Sequence, residues 1–591
     1  MKTMEFNADN SFFHQSYAYR KIMLIVPHED DEINTAGPLI ISLTKSGADV
    51  SIVFTTNGDW KYSAETRMNE AIASSLVLGV PEEKVFFLGY GDAMSDQSHT
   101  HIFYSKENTA VSPAGFSTTY GVKEHSDYAF SKYGIHHQYT YENYLSDLMS
   151  IILDLEPEII ISSDFDEHPD HKMLSLCIDK AIGRIRKIKH TYNPEIWKSF
   201  AYSLAYTAIA DYSGINNNET KKPVVGITGK YNFDIVNCSF YMWEERIRIP
   251  VPSEARTVLL KDNIIYKALC KHKSQSINSK ASRIINSDDV YWVRRTDNLA
   301  YTAELSATSG DPEYVRDFVL YDVDDIDSVD VIFNEQYYWK PAESDTLKAL
   351  RFAWNDPVNI EQIIIYSSIS DDSSIELLKV SLSDGNAVLA EGLPANGNPL
   401  KLNLGLRRNI RWCNVEILKY KGEHYGIAEC EIYAESSIKS LISPFVKILI
   451  GDNFAYEYLI DKNIKVLPLG LYSFERQDDV EISVIQGKST ICGSNLHVDS
   501  EDERIVLRAQ NSKGTLYDQI IIDVADRKTM IKKSAADIIN SSYIKTAEAT
   551  LKLNNMKYIL RNDGVSAVVK RTYKNVIKPR IMRKYHGFKS K

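Results

Sequence analysis

Cysteine is scarce in this sequence of 591 residues. The six cysteines, Cys177, Cys238, Cys270, Cys413, Cys430 and Cys492, form no CxxC pair. Because widely spaced single cysteines suit neither a zinc knuckle nor a disulfide scaffold, we expect free and mostly buried thiols.

Long hydrophobic runs and clustered basic charge are also missing. No stretch approaches the roughly 20 apolar residues of a membrane-spanning helix, and the first residues lack the basic and apolar parts of a signal peptide. We therefore expect a cytoplasmic protein. The formal net charge of -11 gives no reason to expect a nucleic-acid partner, because phosphate binding needs a concentrated basic face.

The composition is that of an ordinary globular protein, with 44% hydrophobic and 25% charged residues. A chain of this length is too long for one core, so we expect about three or four domains. The predicted division is an N-terminal extension (1–20), an α/β domain (21–305), two β domains (306–435 and 443–525) and a tail (526–591).

The α/β domain alternates short apolar runs with helical patterns, which is typical of a Rossmann-like parallel sheet with crossover helices. The predicted strands are Lys21–His28, Asp49–Thr56, Lys84–Tyr90 and Pro157–Ser163, and the predicted helices are Thr35–Gly47, Ala64–Gly79 and Tyr141–Leu155. The strands are apolar almost throughout, as expected when both faces of a sheet are buried.

The second half has short alternating runs separated by turn residues, which predicts two β-sandwiches. The tail is predicted to be short, helical and basic, since from Lys557 it holds eleven Lys or Arg against one acid, Asp563. It suits either a solvated end or peripheral contact with an anionic membrane. Val565–Arg583 shows no clean amphipathic pattern, which slightly favours the solvated end.

Two clusters of acids and histidines follow predicted strands. Residues 27–32 read PHEDDE after the first strand, and residues 164–171 read DFDEHPDH after the strand at Pro157–Ser163. Ligands bind where the carboxyl ends of parallel strands meet, and charges there favour a cation. Imidazole with carboxylate favours zinc or another first-row divalent metal. Either cluster alone would more often be a solvated turn or a helix cap.

The two clusters resemble the signatures of the PIG-L (LmbE-like) family of zinc-dependent N-acetylglucosamine deacetylases, PHPDDE after the first strand and HPDH later. The resemblance covers about residues 21–305. It continues at Arg67, Glu70, Leu78–Val80, Phe87–Asp92, His272, Ser274, Gln275 and Arg294–Leu299. Glu29 stands where the family usually has proline, and we expect this change to affect loop rigidity more than metal binding.

The resemblance implies that His28, Asp31 and His171 hold zinc and leave one position for water. It implies that Asp30 is the general base and that a protonated His168 stabilises the oxyanion. The reaction so implied removes the acetyl group from an N-acetylated amino sugar.

Other residues have more open roles. Asp170 either orients one of the histidines or caps the helix that begins at His171. Arg67 and Asp92 are candidates for substrate contact, although an arginine on such a helix is more commonly solvated or paired with Glu70. The segment Ser98–Gln138, rich in His and Tyr, is expected to line the substrate groove, or else to pack onto the domain.

Residues 306–434 resemble a discoidin-like, galactose-binding β-sandwich, most clearly at Arg411–Trp412 and Gly426–Tyr433. Such a fold implies either glycan binding or a spacer role. We expect the aromatic residues 337–339 to be buried. The next module suits an immunoglobulin-like sandwich.

The leading hypothesis is a zinc hydrolase that deacetylates N-acetylglucosamine, or a similar amino sugar, in a glycan or glycolipid of a bacterial-type cell-surface pathway. One alternative is a carbohydrate-binding or scaffold protein that has lost catalysis, against which the presence of His28, Asp30, Asp31 and His171 argues. Another is an amidase with a different N-acyl substrate, since the chemistry does not depend on what lies beyond the amide.

Overall fold

The computed structural model describes most of the chain. The described residues are 17–92, 101–166, 168–201, 247–249, 252, 255, 257, 259–285, 289–326, 333–334, 336–434, 446–451, 457–473, 480–511 and 516–562. Most of the predicted N-terminal extension and the basic end of the tail lie outside them. All the described cysteines are free, and Cys177, Cys413 and Cys430 are buried, as predicted.

A mixed sheet forms the centre of the first region. Its strands are β1 (Lys21–Val26), β2 (Asp49–Thr56), β3 (Val85–Tyr90), β4 (Ile159–Ser163), β5 (Glu195–Ser199), β6 (Ile247–Ile249) and β7 (Asp289–Arg294). They lie in the order β3-β2-β1-β4-β5-β7-β6. Strands β1 to β5 pair in parallel, whereas β7 is antiparallel to both of its neighbours. The predicted parallel sheet is therefore present, with an antiparallel edge.

The helices of this region are α1 (Asp31–Ser46), α2 (Ala64–Leu78), α3 (Tyr128–Tyr133), α4 (Tyr141–Leu155), α5 (Pro169–Ile188), α6 (Ile264–Leu269) and α7 (Ala281–Ile285). The predicted start of the first helix at Thr35 is wrong, because α1 begins at Asp31. A break at Ala36, two residues before Pro38, separates an acidic first turn from the rest. Two of the acids that follow the first strand, Asp31 and Glu32, therefore lie in the first turn of the helix. The helix dipole favours carboxylates at that position.

Helices cover both faces of the sheet, because successive residues of a buried strand point to opposite sides. Ile22, Leu24 and Val26 of β1 share one core with α1, α2 and α6. Met23 and Ile25 belong to the other core, with α4 and α5. This arrangement explains why the strands are apolar at nearly every position.

The strand order reverses next to β1. Strands β2 and β3 lie on one side of β1, while β4 and β5 lie on the other. In open α/β sheets the loops at the carboxyl ends diverge where the strand order reverses, and ligands bind at that point. The two acid and histidine clusters follow β1 and β4.

The next region contains one antiparallel sheet of six strands. Its strands are β8 (Glu304–Ala307), β9 (Ala349–Ser367), β10 (Ser374–Leu382), β11 (Ala387–Glu391), β12 (Leu400–Lys421) and β13 (Ile427–Tyr433). The pairing of β9 with β12 shifts register between Asn403 and Trp412, and both halves of these long strands contribute to one core. The aromatic residues Tyr337, Tyr338 and Trp339 are buried, as predicted.

Two four-stranded sheets follow. Their strands are β14 (Val446–Ile450), β15 (Glu457–Asp461), β16 (Val466–Ser473), β17 (Val480–Gln486), β18 (Thr490–Cys492), β19 (Asn495–His497), β20 (Arg504–Asn511) and β21 (Leu516–Ala525). Apolar residues from both sheets, such as Leu469 and Leu507, enter the same core. The last element is the 36-residue helix α8 (Arg527–Asn562), which lies within the predicted helical tail. Among the described residues, no helix is long and apolar enough to cross a membrane.

A buried ion pair joins the first region to the antiparallel sheet. The Arg294 Nε of β7 donates to Glu431 Oε1 of β13 at 2.7 Å, and its Nη1 donates to the Phe318 carbonyl at 2.7 Å. Glu429 is buried beside it, with Arg294 Nη2 at 3.8 Å, and burial raises the pKa of this carboxyl well above its usual range. The arginine thus offsets the cost of two buried acids at the junction.

Arg294→Ala is expected to lower the free energy of unfolding by about 3–5 kcal/mol, because it leaves the buried Glu431 carboxylate without its cation. Chemical denaturation of the full chain measures the change. The matched control is Arg184→Ala, whose pair with Glu142 is 48% and 60% exposed and should contribute less than about 1 kcal/mol. Equal losses in the two variants would contradict a special role for Arg294.

Candidate metal centre and active site

The first histidine and acid of the site lie in the turn from β1 to α1. His28 comes two residues after β1 ends at Val26, and Asp31 is the first residue of α1. The backbone N–H groups of Asp30 and Asp31 donate to the His28 carbonyl, which closes this tight turn. Both His28 and Asp31 are buried at the carboxyl edge of the sheet.

The predicted metal ligands converge on one point. Asp31 Oδ2 lies 3.0 Å from His28 Nδ1 and 3.0 Å from His171 Nε2. The two ring nitrogens are 3.4 Å apart. Tetrahedral ligands about 2.0–2.1 Å from a zinc ion lie about 3.4 Å from one another, so the spacing fits such an ion.

Each of these histidines is held from behind by a buried carboxylate. His28 Nε2 pairs with Asp170 Oδ2 at 3.0 Å, and His171 Nδ1 pairs with Asp166 Oδ2 at 2.8 Å. Since a carboxylate accepts, the ring proton of each neutral histidine is assigned to the outer nitrogen, and the inner lone pair remains for a metal. The role of Asp166 was missed, because its sequence position alone does not show which ring it reaches.

The alternative that Asp170 caps the following helix is wrong. Helix α5 begins at Pro169, and its N-cap is His168, whose Nδ1 accepts from the Asp170 backbone N–H at 3.2 Å. Asp170 therefore lies inside the first turn, where its side chain turns toward His28.

His101 is a further member of the cluster. It is fully buried, and its Nε2 lies 3.0 Å from Asp170 Oδ1. Its Nδ1 accepts from the Phe103 backbone N–H at 3.1 Å, so the ring proton lies on Nε2 and is donated to Asp170. His101 thereby fixes the carboxylate that orients His28. Sequence reasoning placed it only within a long histidine-rich loop.

The charges of this cluster favour a cation. Asp31, Asp166 and Asp170 are all buried around two imidazoles. Against the effect of burial, His171 and His28 hold the pKa of Asp31 well below its usual range. Within the part of the chain that the structure describes, Asp31 Oδ1 has no hydrogen-bond partner. Buried carboxylates in excess of cations are costly, and a divalent ion would balance them.

His168 lies close enough to the centre to be a further nitrogen ligand. The rings of His28, His168 and His171 bring three nitrogens together, and Asp92 and Asp170 form a second grouping with His28 and His168. Burial, followed by the nearby His28, lowers the pKa of His168 well below its usual range. The expected protonated His168 is therefore disfavoured. Because its Nδ1 accepts, the neutral ring carries its proton on Nε2 and can still donate there.

Asp30 lies beside the ligand set and contacts Arg67. Its Oδ1 is 3.3 Å from Arg67 Nη2, which also donates to the Glu29 carbonyl at 2.7 Å. Burial raises the pKa of Asp30, and Arg67 opposes this shift. Arg67 is buried and points into the site, so the alternative of a solvated arginine is wrong.

The expected pairing of Arg67 with Glu70 is also absent among the described contacts of these two residues. Glu70 instead accepts from the Ser274 N–H at 2.9 Å and from its hydroxyl at 2.7 Å. In the same segment, His272 Nε2 pairs with the buried Glu32 at 2.7 Å. These partners are about 200 residues apart in sequence, so they hold α1 and α2 to the segment after α6.

Glu29 is fully buried, and its Oε2 lies 3.5 Å from Arg67 Nε. Burial raises the pKa of this carboxyl to about 8, although Arg67 opposes the shift. The position that we expected to affect loop rigidity more than metal binding thus places another acid at the site.

Asp92 is buried beside the site, with its Oδ1 3.8 Å from His28 Nε2. Its backbone N–H donates to Asp59 Oδ1 at 2.8 Å, and the Tyr120 hydroxyl donates to Asp59 Oδ2 at 2.6 Å. Asp92 is therefore near the reacting position, and its contact with substrate stays a prediction.

The remaining histidines of the long loop do not all join the centre. His136 pairs with Asp127 at 2.7 Å and His137 pairs with Asp147 at 2.9 Å, each on the side of α3 and α4. His99 lies outside the described residues.

Residues 23–182 match the family model described as PIG-L, GlcNAc-PI de-N-acetylase. No curated protein shows a significant match to the sequence. Among solved structures, the chain is similar to the N,N'-diacetylchitobiose deacetylase from Pyrococcus horikoshii, with 20% identity, 32% of this chain and 62% of that chain covered, and a TM-score of 0.21. The match thus spans less than two thirds of that deacetylase.

Two other solved structures are similar to parts of the chain. The zinc-inhibited form of teicoplanin deacetylase is 15% identical, with 47% of this chain and 98% of that chain covered and a TM-score of 0.28. A family 32 carbohydrate-binding module from C. perfringens, in complex with galactose, is 17% identical, with 22% and 94% covered and a TM-score of 0.17.

Asp170→Asn is expected to weaken zinc binding about 10- to 100-fold, because the amide no longer accepts strongly from both His28 and His101. His101→Ala should weaken binding in the same direction, while His101→Gln, which retains a donor, should weaken it less. Competition with a chromophoric chelator measures the affinity. His136→Ala, which removes a histidine paired to an aspartate elsewhere, is the control. Unchanged affinity in both Asp170→Asn and His101→Ala would contradict the assigned network.

Proposed function

We propose that this chain, which carries a PIG-L family domain at residues 23–182, is a zinc-dependent hydrolase that removes the acetyl group from N-acetylglucosamine or a similar amino sugar. The proposed substrate is a glycan or glycolipid rather than a free small molecule. The observation that carries the proposal is the convergence of His28, Asp31 and His171 on one point with Asp30 beside them. The family match agrees with this chemistry.

The three ligands suit a catalytic rather than a closed structural metal site. Structural zinc sites use four protein ligands, whereas catalytic sites commonly use three and leave a position for water or substrate. A zinc ion held there would polarise the amide carbonyl and make a water molecule more acidic. Zinc is favoured over magnesium or calcium because two of the three donors are imidazoles.

Asp30 is the proposed general base. Its carboxylate lies next to the ligand set and is not one of the three converging donors. The Arg67 guanidinium, 3.3 Å away, fixes one of its oxygens and leaves the other to take the proton of the attacking water.

His168 is the proposed donor to the developing oxyanion. Its ring packs edge-on against His28, with centroids 4.5 Å apart, so it borders the same space. A neutral ring that donates through Nε2 stabilises negative charge on the carbonyl oxygen as the tetrahedral intermediate forms.

An amidase with another N-acyl substrate shares this machinery, because only the pocket beyond the amide distinguishes the two. Asp92 favours a sugar, since its carboxylate beside the site can accept from a hydroxyl group. The strand-rich domains suit a large glycan substrate, and sugar binding by the 306–434 region is part of the same proposal.

Acetate release from N-acetylglucosamine, its oligosaccharides and an N-acetylglucosaminyl lipid tests this function with zinc-loaded protein. Asp30→Asn is expected to lower kcat at least about 100-fold while zinc stays bound, because the base is lost and the ligands are kept. His171→Ala should lose both zinc and activity, and His136→Ala should keep both. A protein that binds zinc but releases no acetate from any of these substrates would point to a different amide, and one that binds no metal would favour the binding-protein alternative.

A further inference from the structure

The C-terminal helix α8 returns to the first region along one continuous face. Its buried residues Ala536, Asn540 and Ala547 repeat at helical spacing, and Tyr558 lies three turns farther on the same stripe. Asn540 is fully buried, and its Oδ1 accepts from the Leu260 N–H at 2.8 Å. A polar side chain buried in this way is stable only with its partner, so the helix docks in one register.

Further contacts continue this face toward the helix end. Tyr543 packs against Tyr266 of α6, with ring centroids 6.4 Å apart. Asn554 Nδ2 donates to the Ser276 hydroxyl at 3.3 Å. These contacts lie between the docking point of Asn540 and the end of the stripe, so the helix is held along most of its length.

The end of the stripe meets the loop that follows β2. Lys61 Nζ donates to Asn555 Oδ1 at 2.5 Å and lies 4.9 Å from the centroid of the Tyr558 ring. The rings of Trp60 and Tyr558 are 6.5 Å apart and tilted by 47°. Residues nearly 500 positions apart in sequence thus form one aromatic cluster.

The same loop borders the active site. Asp59, next to Trp60, accepts from the Asp92 N–H. Gly58 packs so closely that a Cβ there would lie 2.3 Å from Glu29 Oε2 and 3.0 Å from Arg67. Four consecutive residues therefore lead from the carboxylates of the site to the end of α8.

Part of the aromatic cluster remains exposed to solvent. Trp60 is 42% exposed, although it lies beside a docked helix. Flat aromatic faces with one polar edge suit the apolar face of a sugar ring, and the hydrogen-bonded Lys61 holds the cluster in place. Because Gly58 and Asp59 of this loop contact Glu29, Arg67 and Asp92, a sugar stacked on Trp60 would neighbour the one that carries the reacting acetamide.

We propose that Trp60 and Tyr558 form a stacking subsite for a neighbouring sugar ring, so that α8 completes the substrate cleft of the first region. The subsite rests on the proposed deacetylase function and specifies its substrate as an oligosaccharide rather than a single amino sugar. The cleft is then built from both ends of the chain.

The test compares kcat/KM for N-acetylglucosamine with that for its β-1,4-linked tetramer, using the zinc-loaded full chain. Tyr558→Ala and Trp60→Ala are each expected to lower kcat/KM for the tetramer about tenfold more than for the monomer. Tyr558→Phe, which keeps the ring, should preserve the tetramer preference. Leu560→Ala, an exposed position on the same helical turn, is the control and should leave the ratio unchanged.

Equal losses for monomer and tetramer would show that Tyr558 and Trp60 only support the fold, and would overturn the subsite. If neither alanine variant changes kcat/KM for either sugar, the subsite is overturned as well. If the unaltered chain hydrolyses neither sugar, the deacetylase proposal fails, and tetramer binding measured by calorimetry then decides the subsite separately. In that case tenfold weaker tetramer binding by Tyr558→Ala supports the subsite, and equal binding overturns it.

Discussion

The rest of the first region depends on a charge imbalance at the junction of β1 and β4. Asp31, Asp166 and Asp170 are buried around His28 and His171. The parallel sheet concentrates these side chains because the loops after β1 and β4 share one edge. A buried excess of carboxylate is tolerated where a metal ion is to bind, so the site and the strand order that creates it are one feature.

Sequence patterns predicted what is local or periodic. The bounds of β2 and α4 agree with prediction because both carry an uninterrupted apolar pattern with clear end signals. The three ligand candidates came from the family resemblance; the structure brings them together, and their role as ligands stays a prediction. The partners of Arg67 and Glu70 were not predicted, since the helical spacing that favours their pairing is weaker than the buried contacts available to each. His101 and Asp166 were missed because ring orientation is set by tertiary packing.

Long-range packing also crosses the predicted boundary between the first two domains. Phe318, Tyr321 and Ile326 belong to the core beneath α4 and α5, although they follow the predicted boundary at 305. Their neighbour Asp317 lies so close to α5 that a Cβ on Gly183 would be 1.7 Å from its carbonyl oxygen. Composition and strand pattern change near residue 305, and these changes suggested the boundary. The core of the first region nevertheless continues past it, because the segment between β8 and β9 packs against α4 and α5.

The departure of Glu29 from the proline of the family pattern illustrates how one substitution is accommodated. A glutamate at this buried position needs both room and a cation. Gly58 supplies the room, since any Cβ there would collide with the Glu29 carboxyl, and its φ of 56° also suits glycine. Arg67 supplies the cation while it also contacts Asp30. Glu29, Gly58 and Arg67 are therefore coupled, and the side chain that distinguishes this chain from the family pattern acts on the proposed base through the arginine that both acids share.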